Sequence, residues 1–232
     1  MTVVDLGFAP GSWSQVAIDL VRPGLGRVVG VDIIPVAPPK GVNALQGDFL
    51  SRDTQERVRE LLKDENAGRV HRHELIKEEN NTDPSYLDQD LSKLDLNMTG
   101  KAHRDKCIDV ILSDMSAPWE LASGYHHRSI SNPYHRLMNT SGNKFKDHAG
   151  SMDLCRSALY FAFDTLRVGG NFVCKFYQGA EDKQFEKQLK SLFSKVHRDK
   201  PESSRSESKE AFFIGIQRLS SAEQDRVFDE GG

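Results

Sequence analysis

Several features are scarce in this chain, and each scarcity excludes something. Its 232 residues include three cysteines, Cys107, Cys155 and Cys174, with no CxxC pair and no paired histidines nearby. Such spacing excludes a disulfide framework and a cysteine-built zinc site, and it suits a reducing compartment. No apolar run approaches the roughly 20 residues of a membrane helix, so no membrane span is expected. The net charge of −3 gives no global nucleic-acid signature, although a binding footprint needs only local positive charge. No leader is visible ahead of the first apolar run, which begins at Thr2. The sequence is therefore read as an N-terminally truncated version of a longer chain, with a leader or a substrate-gripping segment missing ahead of Thr2.

What is present alternates. Thr2–Leu6 and Arg27–Ile33 read as buried strands with a helix, Trp13–Val21, between them. Val42–Gln46, a helix near Thr54–Leu62 and the strand Cys107–Asp114 continue the rhythm. Helix Met152–Leu166, strand Asn171–Phe176 and helix Gln184–Phe193 follow, then strands near Lys195–Lys200 and Ala211–Arg218. Alternation of this kind predicts an α/β, doubly wound, mostly parallel sheet. The last two strands are too close for a crossover helix, so an antiparallel C-terminal strand is expected. We read residues 1–219 as one domain and the polar stretch from Ser220 as a frayed tail. Lys63–Lys106 is charged, Asn-rich and aperiodic, and is read as a solvated, partly disordered insertion. The His71-x-His73 pair within it is a weak metal signal, so no metal site is assigned. Trp119–Gly150, rich in His, Asn, Ser and Arg, follows a strand's carboxyl end, the edge where open α/β sheets bind ligands.

The chemistry concentrates at that edge. In "VVDLGFAPGSWSQ", Gly7-x-x-x-Gly11 joins a strand to a helix and lets a ligand approach backbone N–H groups. It is neither a G-x-G-x-x-G turn nor a P-loop, and alone it is weak. Asp32 ends the second strand, where a carboxylate can accept from ribose hydroxyls; Pro35, Pro38 and Pro39 oppose a helix that it could cap. Asp48 in "LQGDF" and Asp114 in "LSDMSAP" follow the third and fourth strands. With Asp5, these carboxylates favour a cationic or hydroxyl-rich ligand, such as a sulfonium cofactor, over a pyrophosphate. Lys175 lies near the end of the otherwise apolar strand in "GGNFVCKFYQG", where a lysine needs a partner or a task. If Asp114 and Lys175 end adjacent strands they face each other, and Glu210, opening the strand after "KPESSRSESK", could reach the same ammonium.

Taken together, these segments resemble the FtsJ (RrmJ-type) 2′-O-ribose RNA methyltransferases. The segments "VVDLGFAPGSWSQV", "VVGVDIIPVAPPKGVNALQGDF", "DVILSDMSAP", "GGNFVCKFYQG" and "KPESSRSESKEAFF" stand in family order and cover most of the chain. The resemblance implies a class I, Rossmann-like fold using S-adenosylmethionine, contacted around the Gly7–Gly11 turn, at Gly11 and Trp13, at Asp32 by the ribose, at Asp48 near the adenine and at Asp114. It implies a Lys-Asp-Lys-Glu catalytic group, of which Asp114, Lys175 and Glu210 are present, with Lys175 activating the 2′-hydroxyl. The family's first lysine lies upstream of the first strand, and nothing here matches it.

Wording within the motifs is similar to the ribosomal and mitochondrial branch, and the insertion and "HAGSMDLC" to fungal mitochondrial members. The resemblance thus implies a uridine of mitochondrial large-subunit ribosomal RNA as substrate, a mitochondrial location, and a monomer acting on the large ribosomal subunit. RNA contacts are expected from Trp119–Gly150, including His126, His127, Arg128, Arg136, Lys144 and Lys146, and from Arg198, Lys200 and Arg205. Two other readings stay open: a cofactor-binding ribosome-assembly factor with impaired catalysis, and a tRNA 2′-O-methyltransferase.

Overall fold

The computed structural model describes residues 1–64, 106–117, 143–202, 204 and 208–228. The core of the insertion, with His71 and His73, lies outside them, as do His126, His127, Arg128, Arg136 and Arg205.

Strand β1 (Thr2–Leu6) is buried along its whole length, as expected of an apolar run covered on both faces. A turn leads to α1 (Ser12–Val21), which buries Ser14, Ala17, Ile18 and Val21 at helical spacing. Next come β2 (Arg27–Asp32), β3 (Val42–Gln46) and α2 (Arg52–Lys63), which turns Thr54, Val58 and Leu62 inward. Strand β4 (Ile108–Ser113) precedes α3 (Lys144–Thr165) and β5 (Leu166–Tyr177). The remaining elements are α4 (Asp182–Leu192), β6 (Phe193–Asp199), β7 (Glu210–Arg218) and α5 (Gln224–Phe228).

The seven strands form one sheet in the order β3-β2-β1-β4-β5-β7-β6. The first five are parallel, and β7 runs antiparallel between β5 and β6. The sheet reverses direction of winding between β1 and β4, which is where such sheets place their ligands. One face packs α2, α3, α4 and α5 over Val4, Leu6, Ile111, Phe172, Phe176 and Phe213. The other carries α1 over Val3, Val28 and Val42.

Most element boundaries fall within about two residues of the sequence reading, and three places differ by more. Helix α3 starts eight residues earlier than the predicted Met152, because Asn143 Oδ1 accepts from the Phe145 and Lys146 N–H groups and caps it. That cap sits in a polar stretch where it is easily mistaken for loop. Strand β5 starts at Leu166 rather than Asn171, with a register irregularity opposite Ile108 and Val110 and with Gly169 at φ +79°. The segment after Ser220 contains α5, whose Val227 is fully buried and whose Phe228 stacks on Tyr160 at 3.7 Å. Two apolar residues among many polar ones suffice to dock it.

Candidate active site

Side-chain alternation assembles the site. In β1, Val4 and Leu6 face the α3 side, so Val3 and Asp5 face α1. The same parity holds for Asp32 in β2, for Asp114 just past β4, for Lys175 and Tyr177 in β5 and for Glu210 in β7. Register supports it: Asp5 pairs with Gly30 and Leu112, Leu112 with Val173, Lys175 with Phe212, and Tyr177 with Glu210. Five predicted residues therefore stand on one sheet face at its carboxyl edge.

The Gly7–Gly11 turn is held from two sides. The N–H groups of Gly7 and Phe8 donate to Val31 O, and Ala9 N–H donates to Asp32 Oδ2 at 2.9 Å. Gly7 has φ +79°, and a Cβ there would stand 2.8 Å from the Met115 backbone. Gly11, at φ +117°, precedes the first turn of α1. Both positions require glycine for conformation and for space, since a Cβ at Gly11 would stand 2.7 Å from Pro39 Cγ. Both Asp32 carboxylate oxygens hold the backbone, since its Oδ1 accepts from Ile34 N–H at 2.8 Å. Burial raises its carboxyl above the usual range, the Ile34 and Ala9 amides oppose this, and Asp114 adds to it.

Asp5 is fully buried. Its Oδ2 accepts from Ser14 Oγ at 2.6 Å, and its Oδ1 has no hydrogen-bond partner among the described residues. Burial pushes this carboxyl up to about 6, Ser14 pulls it down, and Asp114 and Asp32 push it further up. Asp48 is exposed, beyond β3 on the same edge, and its Oδ1 accepts from Leu50 N–H at 2.9 Å.

Lys175 is the centre of the arrangement. Its side chain is 3% exposed, and its Nζ lies 2.8 Å from Asp114 Oδ1. It also donates to Asp114 O at 3.0 Å and to Ser116 Oγ at 2.8 Å. Buried ammonium groups persist only when paired in this way. Glu210 is not brought into that pair: no ion pair joins it to Lys175 among the described residues. It stands opposite Tyr177, diagonal to Lys175, a separation side chains can bridge by changing rotamer. Burial, then Glu210, Asp147 and Asp114, hold the Tyr177 phenol protonated well beyond its normal range.

Trp13 reaches across the face to Phe212, with ring centroids 5.5 Å apart. Trp13, Val173, Phe212, Ile214 and Glu210 line a groove of about 470 Å³ on the same sheet face as Lys175. A second cavity of about 600 Å³ lies between α2 and α3, lined by Arg57, Glu60 and Asp164 among others, and holds none of the predicted residues.

Sequence reasoning missed the support behind β5. His148 Nε2 accepts from Glu181 N–H at 3.1 Å, so its Nδ1 carries the hydrogen that bonds Tyr177 O at 2.6 Å. Ser151 Oγ accepts from Tyr177 N–H at 3.1 Å and donates to His148 O. His148 lies in the segment Trp119–Gly150, read as a break in the strand–helix rhythm, and Ser151 just beyond it; their helical spacing was the available signal. Arg198, expected on the RNA side, instead bonds Asp182 and Glu186 and lies 4.9 Å from the Phe213 ring centroid. Its parity in β6, opposite Phe213, turns it toward α4. Lys144 and Lys146 are exposed on the first turn of α3, and Lys200 donates to Ser208 O.

The chain is similar to known proteins over nearly its whole length. It is 35% identical to the mitochondrial rRNA methyltransferase 2 of Saccharomyces cerevisiae, across 97% of this chain and 76% of that protein. It is equally 35% identical to the Schizosaccharomyces pombe protein of the same name, across 93% and 76%. Identity to the ribosomal RNA large subunit methyltransferase E of Rickettsia bellii is 30%, across 94% and 70%. A Plasmodium falciparum ribosomal RNA methyltransferase shares the fold, with a TM-score of 0.55 and 24% identity over 94% of this chain and 86% of that one. The family model for FtsJ-like methyltransferases matches residues 1–218, the span of the sheet and every predicted site residue, and the chain belongs to that family.

Proposed function

We propose that the protein methylates the 2′-hydroxyl of a ribose in ribosomal RNA, using S-adenosylmethionine, with Lys175 as the group that receives the hydroxyl. The observation that carries this is the pairing of the buried Lys175 with the part-exposed Asp114 at adjacent strand ends, in a member of a methyltransferase family. The donor set fits such a cofactor. Asp5 offers a buried carboxylate oxygen without a partner among the described residues, and Asp32 and Asp48 stand at the strand ends beside the Gly7–Gly11 turn. Gly7, Gly11, Trp13, Asp32, Asp48 and Asp114 would hold it. When bound, the cofactor supplies a methyl carbon activated by a positive sulfur, and the displacement requires no metal.

The chain's own residues do the rest. The nucleophile is a neutral hydroxyl, so transfer demands its orientation and removal of its proton. Lys175 Nζ binds the oxygen and takes the proton in its neutral form. Asp114 fixes the lysine from one side. Glu210, on the diagonal, approaches when the RNA is in place and balances the charge that the proton brings.

The yeast relatives are named as mitochondrial rRNA methyltransferases. We infer from them a mitochondrial location and large-subunit ribosomal RNA as substrate, with a uridine as the modified nucleotide. The test maps 2′-O-methyl groups in mitochondrial ribosomal RNA from cells with and without the protein. One missing modification in large-subunit RNA is the expected result. Loss confined to tRNA, or no loss, would overturn the reading.

A further inference from the structure

The lysine that the proposed mechanism relies on has no donor to spare. An ammonium carries three N–H groups, and Lys175 directs them to three acceptors: Asp114 Oδ1 at 2.8 Å, Asp114 O at 3.0 Å and Ser116 Oγ at 2.8 Å. With its side chain 3% exposed, there is no open direction from which an incoming hydroxyl oxygen could be added. One of the three bonds must be released before substrate engages.

The three are not equivalent. The Asp114 carboxylate is the charged partner, and breaking that bond strands a buried charge. Asp114 O belongs to a residue whose own N–H is fastened to Leu6 O at 2.9 Å, so its backbone is anchored to the end of β1. Ser116 is neutral and half-exposed, and it sits in the irregular stretch after β4. Its hydroxyl is also the same chemical group as the proposed substrate's, an oxygen that both accepts and donates.

We propose that Ser116 Oγ is a placeholder for the substrate hydroxyl. It occupies the third tetrahedral position of Lys175 Nζ in the resting protein, an N–H in the ammonium and the lone pair in the neutral amine that receives the substrate proton, and is displaced when the RNA ribose arrives. Ser116 is thus a positioning residue that keeps the lysine aimed while the site waits, at the cost of competing with the substrate. The inference rests on the reading of Lys175 as the hydroxyl-binding group.

Two measurements on the full chain test it. The first needs no turnover: trace labelling of lysines by acetic anhydride, with Lys175 read by peptide mass spectrometry against the exposed Lys183 and Lys195. Ser116→Ala removes an acceptor from the ammonium and is expected to label Lys175 about fivefold faster, whereas Ser116→Thr, which keeps the oxygen, labels as wild type. The second is methyl transfer to a large-subunit ribosomal RNA transcript. Ser116→Ala is expected to raise kcat/KM about threefold to fivefold through a lower KM, because competition with the ground-state substrate is removed. Ser116→Thr restores the wild-type KM. Unchanged labelling in Ser116→Ala, or a fall in kcat with KM unmoved, would overturn the placeholder role. Lys175→Ala separates the two levels. If it is inactive while Ser116→Ala behaves as wild type, only the placeholder fails; if it transfers methyl groups normally, the lysine reading fails and takes the placeholder with it.

Discussion

The two faces of the sheet are built on opposite plans. On the α3 face, four helices cover a core of large side chains, with Phe161, Phe172, Phe176, Phe185, Phe193 and Phe213 each no more than 2% exposed. On the α1 face the described cluster is small, of Val3, Ala17, Ile18, Val21, Val28 and Val42, and Val110 and Leu112 are only partly buried. Yet that thinner face bears Asp5, Asp32, Asp114, Lys175 and Glu210. Every strand contributes alternate residues to each face, so the same five strands serve both plans at once. Among the described residues, the division teaches that packing and titratable side chains are separated by parity, with the large apolar core on one face and the clustered carboxylates and Lys175 on the other.

Substitutions at matched positions sharpen that division. The largest effect is expected at Lys175: Lys175→Ala should lower methyl transfer by about 10²–10⁴-fold, the range for losing a positioned acid–base group. Incorporation of labelled methyl into ribosomal RNA measures this, and the variant's circular dichroism should match wild type. Phe213→Ala, on the packed face, should destabilise by about 3–5 kcal/mol in urea unfolding. Phe212→Ala, one residue away on the other face, should lose less than half of that. Equal losses would erase the contrast between the faces.

Asp5 gives a pH test with a definite sign. Its folded-state value of about 6 lies above the usual 3.8, so folding favours the protonated carboxyl. Stability is fully present below the unfolded value and declines as pH rises toward about 6, then stays reduced. The difference corresponds to about 3 kcal/mol at 1.36 kcal/mol per pH unit. Relative to Asp5→Asn, wild type should therefore lose ground between pH 4 and pH 7 in thermal unfolding; parallel curves would refute this. The smallest effect is expected on the outer side of α1, where Leu20 is 73% exposed. Leu20→Ser should change stability by less than about 0.5 kcal/mol.

The order of elements and the parallel sheet were legible because buried parallel strands leave continuous apolar runs, such as Val28–Val31, broken by turn residues. Asp32, Asp114 and Lys175 were legible for a related reason: a charge at the end of an apolar strand has few bland explanations. The boundaries of α3 were not, since Asn143 caps a helix whose first turns, Lys144–Lys146, look like a solvated loop. Arg198 misled because a charge in a short exposed strand carries no sign of which face it takes until its partner strand is known. Ser116 and His148 escaped because their roles are made by hydrogen bonds to residues far away in sequence, 59 and 29 positions from Lys175 and Tyr177 respectively.

The placement of β7 has a consequence for how the molecule comes into being. Strand β6 is synthesised first but pairs with β7 alone among the described strands, and β7 must enter between β5 and β6. Until residue 210 and its successors have left the ribosome, β5 and β6 are both open edges, and open edges are hazards for wrong pairing. The strand that closes that gap brings Glu210 to the carboxyl edge of the parallel strands with its first residue. Completion of the sheet and assembly of the candidate site are therefore a single late event, so a nascent chain cannot gather these side chains before its sheet is sealed.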